Sequence, residues 1–73
     1  MKFDYKKLRS RIIEIFGTYE KFAEHIGKDK GYISRYMNNH SSFTQELILS
    51  WCESLQIDNA DIPSYFFVLE FTN

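Results

Sequence analysis

The sequence predicts an all-α fold, a compact five-helix bundle formed by a single domain over residues 1–73. The chain has 73 residues, which is enough for one domain only. Hydrophobic residues make up 44% of it and aromatic residues 18%, enough for one core without a metal or a disulfide. Apolar side chains recur at helical spacing along the chain. Each such stretch is bounded by residue types that commonly start or end helices.

Residues 18–39 predict two short helices joined by a tight turn. Thr18 and Asp29 are typical N-cap residues, whose side-chain oxygens accept hydrogen bonds from amides of the first helical turn. Gly27 and, later, Asn38-Asn39 are residue types that adopt the left-handed conformation with which many helices end. The segment therefore contains two complete start and stop signals.

Both helices of this segment have an apolar face. Helix 2 covers about residues 19–26 and helix 3 about residues 30–38. Because the two helices are so close in sequence, they must cross at a steep angle, and Ala23 is small enough to let them touch. This is a helix-turn-helix arrangement. The residues at helical spacing are Phe22, Ala23 and Ile26 in helix 2, and Ile33, Tyr36 and Met37 in helix 3.

Helix 1 is predicted to begin at Asp4, with Phe3 and Leu8 forming a hydrophobic staple around the cap. It ends at Gly17. Its four basic residues lie on the outer surface, where they meet phosphates, an acidic protein surface or only water. These bases are Lys6, Lys7, Arg9 and Arg11, and the inward stripe is Leu8, Ile12, Ile15 and Phe16, widened by Ile13.

Two further helices complete the bundle. Helix 4 is capped by Ser42 or Thr44, and its apolar stripe closes the core over helices 1 to 3. Helix 5 lies within residues 58–67. Asp61 or a near neighbour is its cap, and Pro63 is tolerated in the first turn because the amide that proline lacks is unpaired there. The stripe of helix 4 consists of Leu47, Ile48, Trp51, Cys52 and Leu55.

The C-terminal segment, about residues 68–73, is predicted to be extended. The stretch from Phe66 to Thr72 is rich in β-favouring residues and more apolar than a free tail should be. Either this segment folds back onto its own core, or it forms an edge that pairs with another chain. The second alternative predicts a homodimer or another partner at the aromatic segment.

Charge is distributed unevenly along the chain. Residues 1–40 contain all nine Lys and Arg and five acidic residues, a net charge of +4. Residues 41–73 contain five acidic residues and no base, a net charge of −5. Such asymmetry indicates a charged partner, although charges that only solvate exposed faces explain it equally well.

Several classes of function find no support in the sequence. It has no paired carboxylates in a pocket-forming context, no nucleophile with a neighbouring base and no glycine-rich phosphate loop, so no enzyme, cofactor or small-molecule substrate is predicted. His25 has no second ligand at metal spacing, so no metal is predicted. The single Cys52 is expected to be a buried structural thiol in a reducing cytoplasm. Without a leader or a long apolar run, neither export nor a membrane span is expected.

The helix-turn-helix residues resemble those of a known family. Thr18, Phe22-Ala23, Ile26-Gly27 and Tyr32-Ile33-Ser34-Arg35 match the Cro and CI-type phage repressors in order and spacing. Over about residues 3–67 the chain also resembles short phage proteins of Gram-positive hosts. That group includes the antirepressors, or modulators of repression, of temperate phages. This wider match consists of Phe3-Asp4-Tyr5, Leu8-Arg9, Phe43-Thr44-Gln45-Glu46 and Tyr65-Phe66-Phe67.

The resemblance implies that helix 3 is the recognition helix. In a DNA reader its side chains reach base edges in the major groove, and Arg35 can then pair with a guanine through two hydrogen bonds. The implied recognition residues are Lys30, Gly31, Tyr32, Ser34 and Arg35. Flanking contacts are implied for Tyr19, Lys28, Asn38, His40, Ser42 and Thr44.

Three departures from the repressor pattern favour a protein partner over DNA. Gly31 offers no side chain where a base-reading residue is expected. Asp29 places a carboxylate at the tip of the helix, where serine is usual. No Lys or Arg follows Arg35, so few cations remain to displace counterions from DNA.

The resemblance therefore implies a regulator of a phage genetic switch, in the cytoplasm of a bacterial host. The first hypothesis is an antirepressor, which binds the CI-type lysogeny repressor protein and keeps it off its operators. Tyrosine and arginine, the residue types of helix 3, are enriched at protein–protein hot spots. The alternative is a Cro-like repressor that binds operator double-stranded DNA as a dimer. The two are not exclusive, because one protein can bind repressor and DNA together.

Overall fold

The computed structural model describes residues 2–70, and helices form most of this range. Five α-helices follow one another: α1 (Lys6–Phe16), α2 (Tyr19–His25), α3 (Lys30–Met37), α4 (Gln45–Leu55) and α5 (Ile62–Phe66). A 3₁₀ turn at Asn59–Asp61 precedes α5. Helix α2 packs against α1 and α3, and α5 packs against α1 and α4. The predicted all-α, five-helix fold is confirmed.

Trp51 lies at the centre of the core. Its ring meets those of Phe22 and Phe43 nearly edge-on, with centroids 4.9 and 4.8 Å apart. Such pairs stabilise a fold by about 0.5–1.5 kcal/mol beyond the area they bury. The buried core consists of Tyr5, Leu8, Ile12, Phe22, Ala23, Ile33, Ile48, Trp51, Cys52, Leu55, Ile57 and Phe66.

The apolar stripe of helix 4 is confirmed, and that of helix 1 is confirmed except at Ile13. Leu47 is half-buried and the other four residues of the helix 4 stripe are buried. Ile13 is 45% exposed, so the prediction that it widens the stripe of helix 1 is wrong. Successive residues of a helix point about 100° apart, and Ile12 already faces the core.

The prediction that helix 1 begins at Asp4 is also wrong. The helix begins at Lys6, and the Asp4 carboxylate accepts a hydrogen bond from the Lys6 amide at 2.9 Å. Phe3 is held in an extended segment, because the Asn39 side chain accepts from its N–H at 2.9 Å and donates to its C=O at 3.0 Å. A contact across 36 residues therefore decides where α1 starts.

Residues 68–70 fold back onto the N-terminal segment. Phe3 and Leu69 form an antiparallel pair, flanked by bonds from the Asp4 amide to the Val68 carbonyl (2.7 Å) and from the Glu70 amide to the Lys2 carbonyl (2.9 Å). Of the two alternatives for the C-terminal segment, folding back is the one observed for these residues. The remainder of that segment, 71–73, lies outside the described residues.

The caps of the last helices are partly as predicted. Thr44, not Ser42, caps α4, since its hydroxyl accepts from the Leu47 amide at 3.1 Å. Asp61 occupies the N-cap position of α5 without a side-chain bond to the helix, and Pro63 lies in the first turn as predicted. The chain instead enters α5 through the 3₁₀ turn, which Asp58 caps.

Arg11 closes the C-terminal end of α4. Its guanidinium donates to the carbonyls of Leu55 (2.8 Å) and Gln56 (3.0 Å), two groups that a helix leaves unpaired where it ends. Because these bonds are charge-assisted but partly exposed, we expect Arg11→Ala to lower the free energy of unfolding by about 1–2 kcal/mol. Urea unfolding followed by circular dichroism measures this.

The control is Arg9→Ala, which removes the same charge from an exposed position of the same helix. We expect this control to change stability by less than about 0.5 kcal/mol. Equal effects of the two substitutions would mean that the hydrogen bonds of Arg11 contribute nothing beyond its charge.

Candidate recognition surface on helix α3

Two side-chain caps and one glycine position α3. The Thr18 hydroxyl accepts from the Lys21 amide at 3.1 Å, and the Asp29 carboxylate accepts from the Tyr32 amide at 2.8 Å. Between the helices Gly27 has a φ of 73°, in the left-handed region that suits glycine. The predicted N-caps and turn are confirmed, and together they form a helix-turn-helix with α3 as its second helix.

A shallow groove runs beside the N-terminal half of α3. We call it the α3 groove, and its lining consists of Gly27, Lys28, Asp29, Gly31, Tyr32 and Arg35. Two cations lie over the Tyr32 ring, with the Lys28 Nζ 5.1 Å and the Arg35 Cζ 5.8 Å from its centroid. Both distances lie within reach of a cation–π interaction, which contributes about 0.5–1 kcal/mol at exposed sites.

Tyr32 links this groove to the core. Its ring packs against Tyr36 at 5.1 Å, and Tyr36 in turn packs against Phe43 at 5.0 Å. Burial raises the pKa of the Tyr32 hydroxyl, the interaction with Tyr36 adds to this shift, and the charge of Arg35 opposes it. The hydroxyl is therefore neutral at physiological pH and can both donate to and accept from a partner.

Gly31 leaves the floor of the groove open. A Cβ at this position would lie 3.4 Å from the Asp29 Oδ1, an ordinary van der Waals contact. The backbone does not require glycine here, because Gly31 lies in the helix and its φ is negative. An alanine would fit here without strain. The glycine therefore affects the shape of the groove, and the helix does not need it.

Two of the implied recognition residues are less available than the resemblance implies. Ser34 is half-buried on α3. Lys30 lies 4.0 Å from the Glu20 carboxylate on α2, and both side chains are exposed, so this ion pair contributes little to stability. The structure thus brings together Lys28, Gly31, Tyr32 and Arg35, with Lys30 and Ser34 outside the groove lining.

The flanking residues do not form one surface. Tyr19 and Asn38 lie in a second depression, the N-terminal groove, together with Lys2, Lys6 and Arg9. Burial raises the pKa of the Tyr19 hydroxyl, and the nearby charge of Arg9 opposes that shift. Phe3, Asp4, Tyr5, Met37, Asn39 and Glu70 complete this lining.

The remaining flanking residues lie between α3 and α4. His40, Ser42 and Thr44 are exposed there. The Thr44 oxygen already accepts a hydrogen bond from its own helix. Ser42 borders a third depression, whose lining includes Phe3, Phe43 and Phe67.

Comparison with known families adds one finding. The sequence model of a family described as a protein of unknown function (DUF739) matches residues 1–68 of the chain. The chain belongs to the DUF739 family. No curated protein matches it. The description of the family names no ligand, so the chemistry of the DUF739 protein has to be argued from its own side chains.

Four basic residues were predicted on the outer face of helix 1. Two of them contact other helices of the DUF739 protein. Arg11 bonds the end of α4, as described above. The Lys7 Nζ lies 3.0 Å from the Ser64 Oγ and 4.6 Å from the centre of the Tyr65 ring, so it packs against α5. Lys6 and Arg9 line the N-terminal groove beside Lys2, which sequence reasoning had not singled out as a site residue. Only the position of Lys2 among the N-terminal bases gave a signal for it.

The cysteine of the DUF739 protein and its His25 both pack against other residues of the fold. Cys52 is buried, as predicted, and burial raises the pKa of its thiol. The His25 ring packs against Phe16 at 5.0 Å. Among residues 2–70 no three potential ligands lie close enough to share a metal ion. In the same range no helix combines the length and the apolar composition needed to cross a bilayer.

Proposed function

We propose that this DUF739 protein is a helix-turn-helix transcription regulator of a phage genetic switch, and that it acts as an antirepressor. It binds the CI-type lysogeny repressor through the α3 groove and keeps that repressor off its operators. It works by binding alone, without catalysis or a cofactor, in the cytoplasm of the bacterial host. The observation that carries this proposal is the Tyr32 ring with the Lys28 and Arg35 cations over it.

The composition of the α3 groove suits a protein partner. Tyrosine and arginine are residue types that provide large binding contributions at the centres of protein interfaces. The Tyr32 ring is half-buried and packs on Tyr36, so little conformational freedom is lost when a partner covers it. The groove is therefore preorganised around an aromatic anchor.

The same groove is poorly equipped to read bases. Arg35 is exposed but lies beside the Tyr32 ring, and Gly31 has no side chain to extend towards a base edge. The Asp29 carboxylate lies at the N-terminal tip of α3, where it repels phosphates. After α3 the chain contains no Lys or Arg, and Glu46 lies in the first turn of α4. A DNA footprint would thus have cations on one side only.

The acidic side chains of this protein, many of which follow α3, favour a partner with a basic surface. The DNA-binding face of a repressor is basic, because it must neutralise phosphates. Acidic side chains beside the tyrosines complement such a face and steer the encounter. Five further acids are exposed after α3: Glu46, Glu53, Asp58, Asp61 and Glu70.

Direct operator binding through α3 is the second candidate. It is favoured by three exposed cations on or next to α3: Lys28, Lys30 and Arg35. The N-terminal groove adds three more cations, Lys2, Lys6 and Arg9. They lie beside Tyr19 and Asn38, for which the resemblance to phage repressors implies contacts with phosphates. In this case the protein acts as a Cro-like repressor.

A titration separates the two candidates. The purified protein is titrated against DNA from its own switch region, at low and physiological salt, with and without the cognate repressor. An antirepressor abolishes the gel shift of the repressor and binds the DNA weakly on its own. Tight, sequence-specific binding by the protein alone, falling steeply with salt, would contradict the antirepressor proposal and support the Cro-like one.

Substitutions in the α3 groove test the surface itself. We expect Arg35→Ala and Tyr32→Ala each to weaken repressor binding by about tenfold or more, because both remove an anchor from the groove. Lys21→Ala is the charge-matched control, since Lys21 is exposed on α2 outside the groove lining. Calorimetric titration measures the affinities, and circular dichroism checks that each variant is folded.

The result for Arg35→Ala also distinguishes the two candidates. If α3 reads DNA, this substitution costs about 1–3 kcal/mol and relaxes specificity at a single base position. Unchanged repressor affinity in both groove variants would show that the repressor does not use the α3 groove.

A further inference from the structure

The C-terminal edge, which we define as residues 67–70, carries a row of exposed apolar side chains. Phe67, Val68 and Leu69 expose 53%, 41% and 38% of their surface. They are consecutive, whereas the other large hydrophobic residues exposed within residues 2–70, Ile13 and Leu49, lie far apart in the sequence. A contiguous apolar strip on so small a protein indicates an interaction surface.

The backbone of this edge has an open side. The two bonds to the N-terminal segment are made by Val68 and Glu70, on either side of Leu69. In an antiparallel pair with this pattern, the N–H and C=O of the residue between the two bonds point away from the partner strand. Leu69 therefore directs both groups outwards, and within residues 2–70 neither group makes a backbone hydrogen bond.

The opposite side of the pairing is closed. The outward N–H and C=O of Phe3 are both bonded to the Asn39 side chain, which occupies the place of a third strand. An added strand can therefore pair only at Leu69. Edges of this kind are templates for another extended segment.

We propose that this edge pairs with the same edge of a second copy of the chain, in a twofold-symmetric dimer centred on Leu69. Around this axis Leu69 lies opposite its own copy, and each of the two donates one hydrogen bond and accepts one. Val68 then faces Glu70 of the second copy. No two carboxylates lie directly opposite each other, an arrangement that would destabilise the pair.

The apolar side chains also match across the axis. Phe3 and Leu69 point to one face, because residues directly opposite each other in an antiparallel pair share a face. The ring of Phe67, at the C-cap of α5, lies 6.1 Å from that of Phe3 and joins this cluster. Dimerisation joins two such aromatic and aliphatic clusters into one surface. The edge is short, so the dimer is weak and forms at high protein concentration. It does not depend on which partner contacts α3.

Sedimentation over a series of protein concentrations tests the dimer. We expect wild-type protein to pass from monomer to dimer as concentration rises. Leu69→Lys should raise the dimer dissociation constant by about tenfold or more, because it places two lysines opposite each other. The matched control is Leu49→Lys, the same substitution at a leucine that is 54% exposed on α4, and it should leave the dissociation constant unchanged.

Cross-linking provides a second, independent readout. Residues opposite each other in a hydrogen-bonded antiparallel pair have Cα atoms about 5.5 Å apart, within the range of a disulfide. In a Cys52→Ala background, Leu69→Cys should therefore form an intermolecular disulfide under mild oxidation. Leu49→Cys in the same background should remain monomeric.

Three results would overturn the proposal. The first is a wild-type protein that stays monomeric at every concentration at which it is soluble. The second is a dimer that Leu49→Lys weakens as much as Leu69→Lys does. The third is a monomer in which Leu69→Lys weakens repressor binding, since the edge would then accept a strand from that partner instead of a second copy.

Discussion

Trp51→Ala is expected to lower the free energy of unfolding by about 3–5 kcal/mol, the usual cost of removing a large aromatic side chain from a core. Trp51 is fully buried and its ring contacts Phe22, Tyr36 and Phe43. A domain of this length has a total stability of only about 4–11 kcal/mol. We therefore expect a large fraction of Trp51→Ala molecules to be unfolded, which circular dichroism during a urea titration measures.

Trp51→Phe should cost much less. Within residues 2–70 the Trp51 Nε1 is the one buried side-chain nitrogen or oxygen without a hydrogen-bond partner. A buried donor left unpaired costs about 1–3 kcal/mol, so its removal offsets part of the lost packing. Leu49→Ala, on the exposed side of the same helix, is the control and should change stability by less than about 0.5 kcal/mol. Equal destabilisation by Trp51→Phe and Trp51→Ala would contradict the expected benefit of removing the unpaired nitrogen.

Asn39→Ala is expected to lower the free energy of unfolding by about 2–5 kcal/mol. Asn39 has a φ of 63°, and a left-handed alanine costs about 1–2 kcal/mol. The substitution also removes both hydrogen bonds to Phe3, each contributing about 0.5–1.5 kcal/mol. Hydrogen exchange of the Phe3 amide should become faster, since its acceptor is lost.

Two further variants separate these contributions. Asn39→Gly keeps the left-handed backbone and removes only the side chain, so it should cost about 1–2 kcal/mol. Asn38→Ala is the control, because Asn38 is exposed and its φ is −99°. Equal stability of Asn39→Gly and wild type would mean that the Asn39 side chain does not hold the N-terminal segment in solution.

Much of the fold was predictable because its signals are local. The caps at Thr18 and Asp29 bond amides three residues later, and Gly27 acts through its own backbone angle. The stripe of α4 needs only helical periodicity. The error at Asp4 occurs where a distant segment intervenes, because the bonds between Phe3 and Asn39 hold the chain extended there.

The candidate site was predicted less completely than the fold. The resemblance selected α3, and four of its implied residues do share the α3 groove: Lys28, Gly31, Tyr32 and Arg35. It did not indicate that two cations lie over the Tyr32 ring, because that depends on how the turn places Lys28 against α3. Nor did it distinguish Lys7 and Arg11, which contact α5 and the end of α4, from Lys6 and Arg9.

By itself the sequence determined five helices, the caps of α2 and α3, most of the buried faces and a helix-turn-helix, because these follow from interactions between residues a few positions apart. Only the tertiary structure decided where the N-terminal segment ends, which bases remain for a partner and which backbone edge is left open. Those outcomes rest on contacts such as Phe3 with Asn39 and Arg11 with Leu55, 36 and 44 residues apart. Residue pairs so far apart meet only when the whole chain has folded, so no local pattern records them.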